Sequence, residues 1–570
     1  MKDITYLGIT YFRDQSYPFG IKPDDRRRHT YVIGKTGVGK TTLLENMIIQ
    51  DIQNGQGVGV IDPHGELIYR LLHFIPKERI NDVIYFNPGD INWPIAFNVI
   101  EEVPKEWRHL IASGLMGVFK KLWPDVWSAR MEYILNNSLL ALLEYPGSTL
   151  LGINRLLSDS DYRRVVTDKI TDPVVKAFWE KEFTRYNERY ATEAVAPIQN
   201  KVGQFISNPL VRNIIGQKES RLDFRDIMDS KKIFLANLSK GIIGEDNSSL
   251  LGGLLVTKLQ LAAMTRVDLP EEERQDFYLY VDEFQNFSTD SFANIFAEAR
   301  KYRLNLILAH QYIAQLTDTV REAIFGNIGT LISFRVGPED AKLLEEYFTP
   351  EFMQADLINL PNFTFYIKLM IDGILSKSFS AVNIPPHKLP EISYVQEIIE
   401  SSRQKYARPS QEVEREIFYW QLLDFTEMAG GSKNIALTNK NKKGIVREGW
   451  EAVCSLCGQH IMVPFRPAPN RPVYCEQCFR SLKSQKENAE LRFNERDANL
   501  DVRQKAAIPE APSMSLKDLS QADIIKSPNL RRESSVNSSG RSATHKVQAS
   551  HNDKVKETIQ NIFNQTGKNE

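Results

Sequence analysis

Short apolar blocks alternate with stretches of helical spacing over about residues 29–99. Tyr31-Val32-Ile33, residues 58–61 and Val83–Phe86 are uninterrupted apolar runs bounded by turn-forming residues, which predicts strands. From about Pro104 to Gln217 the strand signal disappears. Apolar positions there recur at helical spacing, as in Met131, Ile134, Leu135, Leu139 and Leu142. Strand blocks return at residues 232–238, Phe277–Val281, 304–308 and 329–336, with helical stretches between them. Residues 363–370 and 374–382 flank Asp372-Gly373, a pair that favours a tight hairpin turn. The pattern predicts an α/β core split by an all-α insertion.

The boundaries that follow are 1–103 and 218–390 for the two parts of the core and 104–217 for the insertion. A helical, charged connector occupies 391–446, a compact cysteine module 447–482, and a polar tail 483–570. The tail is rich in Ser, Asn, Lys and Glu and poor in aromatics, which predicts disorder along most of it. Within it, Val555, Ile559, Ile562 and Phe563 share one helical face behind Asp553. That segment reads either as a short docking peptide or as a frayed surface helix.

Charge changes the picture little. With 71 basic and 72 acidic residues the net charge is −1, so a surface for nucleic acid must be local or built by oligomerisation. The most apolar stretch, residues 250–264, is short for a bilayer and is interrupted by Lys258 and Gln260. Met1-Lys2-Asp3-Ile4-Thr5 lacks a signal-peptide pattern, and the expectation is a soluble, cytoplasmic chain without its own membrane span.

The chemistry begins after the first strand block. Gly34-Lys35-Thr36-Gly37-Val38-Gly39-Lys40-Thr41 is a complete phosphate-binding loop, followed by a helical stretch from Thr42. Its glycines let backbone N–H groups turn toward phosphate oxygens at the positive end of that helix. Lys40 is placed to reach the β and γ phosphates of a nucleoside triphosphate, and the Thr41 hydroxyl to ligate Mg²⁺. The block Phe277–Val281 ends in Asp282-Glu283. Asp282 would hold Mg²⁺ and Glu283 would polarise an attacking water, which hydrolysis requires. Gln311 follows another apolar block and suits either a γ-phosphate sensor or a turn hydrogen bond. Asp62, in Asp62-Pro63-His64-Gly65-Glu66, bears either on the nucleotide or on its own turn. The guanine-reading Asn-Lys-x-Asp pattern is absent, since Asn439-Lys440-Asn441-Lys442 lacks the Asp, and Leu238-Ser239-Lys240-Gly241 only begins like the transporter signature. These features together predict a RecA-like P-loop ATPase core.

About residues 1–390 resemble the TraG/TraD-type coupling proteins of type IV secretion and conjugation, within the FtsK–HerA group of DNA-pumping ATPases. The resemblance rests on His29-Thr30-Tyr31-Val32-Ile33-Gly34, Ile61-Asp62-Pro63-His64-Gly65-Glu66, Asn237-Leu238-Ser239-Lys240-Gly241, Val281-Asp282-Glu283-Phe284-Gln285, Ala309-His310-Gln311 and Ser333-Phe334-Arg335-Val336-Gly337. It implies a DNA translocase, a hexameric ring with ATP sites between subunits, and docking to secretion-channel or relaxosome proteins. It also implies an arginine supplied by a neighbouring subunit. Arg300 is the candidate and Arg335 the second, each equally readable as a solvated charge. Lys240 is a candidate for the pore. The family usually carries membrane helices before this core, so the chain would reach the inner face of a membrane through partners, or work away from it. Alternative readings are a cytosolic HerA-like motor for DNA processing or partition, a secretion ATPase for pilus or protein traffic, and a nucleotide switch with little turnover.

All four cysteines lie in the small module. Cys454, Cys457, Cys475 and Cys478 have the spacing C-x₂-C-x₁₇-C-x₂-C, which matches a structural Zn²⁺ ribbon better than a redox pair. Phe465, Arg466, Arg471 and Arg480 surround it, and they suit either a recruitment surface or plain solvation.

Overall fold

The computed structural model describes residues 4–101, 103–422, 450–453, 455 and 460–463. The four cysteines, the polar tail and the 553–563 segment lie outside the described residues. Residues 4–422 belong to one unit. A second unit contains the antiparallel hairpin Trp450–Val453 and His460–Val463.

Eleven strands form one sheet among the described residues. In chain order its strands are β1 (Thr5–Phe12), β2 (Gln15–Ile21), β3 (Thr30–Ile33), β4 (Gly57–Asp62), β5 (Val83–Phe86), β6 (Ile233–Asn237), β7 (Phe277–Val281), β8 (Leu304–His310) and β9 (Thr330–Ser333). β10 (Thr364–Lys368) and β13 (Phe379–Asn383) complete it, with the small ribbon β11 (Met370–Ile371) and β12 (Ile374–Leu375) between them. The spatial order is β2-β1-β13-β10-β9-β3-β8-β7-β4-β6-β5. From β9 to β5 every pairing is parallel, whereas β10, β13, β1 and β2 add an antiparallel wing.

This is the RecA-like arrangement: β8 lies between the strand that feeds the phosphate loop and the strand that ends in Asp282. The parallel strands are buried on both sides, which explains their unbroken apolar runs. In β7, Phe277, Leu279 and Val281 enter one core, while Tyr278 and Tyr280 enter the other. β3 divides likewise, with Tyr31 and Ile33 against Val32.

The helical insertion follows β5 and ends before β6. Its first helix, Arg108–Leu122, is built around Ile111, Leu115, Val118 and Phe119. These residues share a continuous core with one face of the sheet and with the long helix Glu245–Met264. By length and composition the stretch Glu245–Asp268 could cross a bilayer, although 67% of its most apolar window is buried inside the protein. Within it Lys258 is partly buried and pairs with Glu101 at 3.5 Å.

One hairpin lies outside the predicted strand blocks, and one predicted hairpin has shorter strands. The hairpin of β1 and β2 carried no glycine signal; Arg13 and Asp14 make its turn at φ 50° and 60°. At Asp372-Gly373 the turn forms, with φ 52° and 80°. The strands around it are shorter than their apolar runs, since Leu369 and Ser376 exchange hydrogen bonds where the ribbon leaves the main sheet. Beyond Pro390, the helix Val395–Tyr406 lies on β5, with the Ser402 hydroxyl accepting from the Tyr85 N–H at 2.9 Å. The helix Ser410–Leu422 buries Val413 and Ile417 in the core shared with the insertion.

Candidate functional site

All the parallel strands deliver their carboxyl ends to one edge of the sheet, where open α/β sheets bind ligands. β3 ends at Ile33 and the chain turns through residues 34–39 into the helix Lys40–Gln53. Gly37 at φ 76° has nothing near where a side chain would stand, and Gly39 at φ 117° is pressed against the Phe363 ring. The loop is therefore open on one side and braced on the other. Phe363 N–H donates to Val38 O at 2.8 Å, and Asn383 Nδ2 donates to Gly39 O at 3.0 Å. Behind the loop, Asp51 on the same helix accepts from Arg26 at 2.7 and 2.8 Å and from Tyr280 of β7 at 2.5 Å. This buried network ties the phosphate-loop helix to the strand that carries the acidic pair.

Lys40 is buried and donates from Nζ to Gly34 O at 2.6 Å and Lys35 O at 3.2 Å. Burial lowers its pKa, and the charges of Glu283 and Asp282 work against that. Asp282 is 5% exposed. Burial, with Asp62 and Glu283 beside it, pushes its carboxyl up to about 6, and Lys40 only partly offsets this. Glu283 sits in the left-handed region at φ 46°, uncommon for a non-glycine residue and typical of functional sites. Its Oε2 accepts from Gln285 Nε2 at 2.7 Å, and its backbone carbonyl accepts from Asn286 Nδ2 at 2.8 Å.

These groups line one cleft of about 590 Å³, which also includes Thr36, Thr41, Thr42, Asp62 and His64. Asp62 caps its own turn, with Oδ1 accepting from the His64 N–H at 2.8 Å, and it also lines the cleft, where its charge raises Asp282. The fit to Mg²⁺ and a nucleoside triphosphate is good. The Lys40 ammonium rests on loop carbonyls, the loop is open at Gly37, the hydroxyls of Thr41 and Thr42 lie at the helix start, and a reluctant Asp282 carboxylate would be relieved by a divalent ion. Gln311 Nε2 donates to Thr36 Oγ1, so β8 touches the loop. Beside it His310 is buried, hydrogen-bonded to the Tyr31 hydroxyl at 2.7 Å, and held neutral with a pKa near 3 by burial and by Lys40 and Lys121.

Other candidates lie elsewhere. Arg300 is exposed on the turn Ala299–Tyr302 that precedes β8. It is a seven-residue strand away from Gln311, roughly 20 Å, so it does not reach its own cleft. Arg335 lies beside the loop, its carbonyl accepting from the Lys35 N–H at 2.9 Å and its guanidinium donating to Asn362 Oδ1 at 2.8 Å. Lys240 donates to Glu245 at 2.7 Å and to Asn286 at 2.8 Å, which ties it to the turn after Glu283. Phe363 and Asn383 escaped the sequence reading, because their only signal is a contact across more than three hundred residues of chain.

Comparison with known proteins bears on this site. The family described as type IV secretion-system coupling protein DNA-binding domain matches residues 18–350. A second family, described as a probable treble clef zinc finger, matches residues 447–483. The type 4 coupling protein DotL of Legionella pneumophila is 23% identical over 425 residues, covering 62% of this chain and 53% of DotL. The chain thus spans about half the length of that curated relative. Among solved structures, the bacterial conjugative coupling protein TrwB is similar at 16% identity and TM-score 0.49, over 66% of this chain and 89% of that one. VirB4 of Thermoanaerobacter pseudethanolicus is similar at 15% identity and TM-score 0.45, over 67% and 96%.

Proposed function

The chain belongs to the type IV secretion-system coupling protein family, and from that membership we propose that it is an ATP-hydrolysing motor that moves DNA toward a secretion or conjugation channel. One observation carries the reading. Asp282 and Glu283 stand at the end of β7 and open on the same cleft as the phosphate loop and Lys40. A switch that merely held nucleotide has no use for a water-activating carboxylate, so Glu283 favours turnover.

In this reading Lys40 leaves its loop carbonyls for phosphate oxygens, and backbone N–H groups around Gly37 donate to the remaining phosphate oxygens. Thr41 and Asp282 would hold Mg²⁺, which when bound would neutralise phosphate charge. Glu283 takes a proton from the attacking water as the water oxygen bonds to the terminal phosphorus. Gln311, joined to Thr36, carries the loss of that phosphate to β8. The family's DNA-binding description supports DNA as the moved substrate, and partners of the secretion channel would bring the chain to the inner face of the membrane. The test is ATPase activity of the purified protein without DNA, with single-stranded DNA and with double-stranded DNA. Stimulation by either DNA is expected; a rate indifferent to both would instead point to protein traffic.

Arg300 needs a neighbour if it is to act. A ring with ATP sites between subunits, hexameric by resemblance, would bring an exposed arginine to the next subunit's cleft. Mixing inactive Lys40→Ala subunits with inactive Arg300→Ala subunits should then recover part of the activity, since some interfaces regain both groups. No gain on mixing would assign Arg300 a local structural part.

The zinc-finger match supports Cys454, Cys457, Cys475 and Cys478 as ligands of one structural Zn²⁺ per chain. Elemental analysis should find one zinc, lost in Cys475→Ser, and chelation should leave basal ATPase activity intact because the motor folds on its own core. A zinc-free protein with a reversible disulfide would place these cysteines in redox chemistry.

A further inference from the structure

We propose that Lys121 is a positioning residue for Glu283, through which the helical insertion controls whether the nucleotide site is ready to hydrolyse. The proposal rests on the reading of Glu283 as the water-activating group. Lys121 lies in the last turn of Arg108–Leu122, the first helix of the insertion, and reaches out of it to the turn that follows β7. Its Nζ donates to Gln285 O, to Ser288 O at 2.6 Å and to Ser288 Oγ at 3.1 Å. An ammonium has three N–H groups, and all three are used on uncharged oxygens of one turn.

That is a costly place for a cation. Burial pulls Lys121 down to about 8, and the nearby Asp290 charge only partly offsets this. What the cost secures is the conformation of Gln285. This residue is held by its carbonyl from the insertion, while its side chain donates to Glu283 Oε2 at 2.7 Å. Asn286 of the same turn holds the Glu283 carbonyl and accepts from Lys240. Glu283 itself keeps an unfavourable left-handed backbone, which persists only where its surroundings over-determine it. The charge on Lys121 is also felt at His310, next to Gln311.

Packing joins the turn to the insertion. On the long helix Glu245–Met264, Gly252 and Gly253 are adjacent. A Cβ on Gly252 would stand 2.2 Å from the Phe287 ring of the turn, and one on Gly253 would stand 3.1 Å from Val118. Val118 is three residues, nearly one helical turn, before Lys121. One short stretch of helix therefore seats both the turn and the helix that grips it. Displacement of the insertion would withdraw the Lys121 donors and release Gln285, and with it the carboxylate.

The experiment is steady-state ATPase of the full chain, with nucleotide affinity from a fluorescent ATP analogue, for Lys121→Met, Gln285→Ala and the double variant. Lys121→Met keeps the aliphatic stem and should lower kcat on the order of tenfold with the affinity unchanged. Gln285→Ala should do the same, and the double variant should be no slower than the slower single variant, because both remove one chain of contacts. Lys121→Arg should keep most of the activity. Should Lys121→Met fail to fold, the Gln285→Ala split and the Lys121→Arg rescue still decide. An unchanged kcat in Lys121→Met overturns the proposal, and so does a double variant whose loss is the product of the two single losses. A wild-type protein that binds ATP without hydrolysing it would instead overturn the reading of Glu283.

Discussion

Glu283→Gln should bind ATP as tightly as the wild-type protein and turn it over about 10²–10⁴-fold more slowly. The substitution is close to isosteric. Its amide oxygen can still accept from Gln285 Nε2, so the turn and its left-handed backbone need not move. Lys40, Thr41 and Asp282 remain to hold phosphate and metal. Only the proton acceptor is lost, and the loss therefore falls on kcat. Lys40→Ala makes the contrast, because it removes the cation at the base of the phosphate loop and should weaken binding as well as abolish turnover. Titration with a fluorescent nucleotide and a steady-state ATPase assay separate the two. Hydrolysis by Glu283→Gln at the wild-type rate would remove Glu283 from the mechanism.

The parts of this site that were legible in the sequence are those whose chemistry is contiguous. Gly34 to Thr41 carry loop, lysine and hydroxyl in one stretch, and Asp282-Glu283 end a strand that is apolar because both its faces are buried. The order of strands was not legible: nothing local says that β8 intervenes between β3 and β7, since parallel pairing is settled by tertiary packing. The antiparallel wing was read only in part, because Arg13 and Asp14 make a glycine-type turn without glycine. Phe363 and Asn383, which brace Gly39, and Lys121, which grips the turn after Glu283, look in sequence like ordinary surface or core residues. Their meaning lies in contacts between distant segments. Arg300 precedes β8, at the end of that strand opposite Gln311, so a single chain cannot test the role across subunits that the resemblance implies.

Asp282→Asn should make the nucleotide-free protein more stable at neutral pH while abolishing Mg²⁺-dependent hydrolysis. In the folded chain the Asp282 carboxyl titrates at about 6 instead of 3.8, first because it is buried and then because Asp62 and Glu283 repel its charge. The folded state thus binds this proton more tightly than the unfolded state does. Its contribution is fully present below the unfolded value, is lost as pH rises through about 6, and is constant above. At 1.36 kcal/mol per pH unit the whole effect is on the order of 3 kcal/mol. An asparagine has no proton to lose, and its side-chain oxygen can still accept from the Glu283 N–H, which donates to Asp282 at 2.9 Å. The gap in melting temperature between variant and wild type should therefore widen from pH 5 to pH 7 in the absence of nucleotide. Mg²⁺ with a non-hydrolysable ATP analogue should close it from the other side, raising the wild type more than the variant, because a divalent cation replaces repulsion with attraction only where the carboxylate exists. A gap that stays the same at every pH, or equal stabilisation of the two proteins by metal and nucleotide, would mean that Asp282 is neither strained by its neighbours nor a metal ligand.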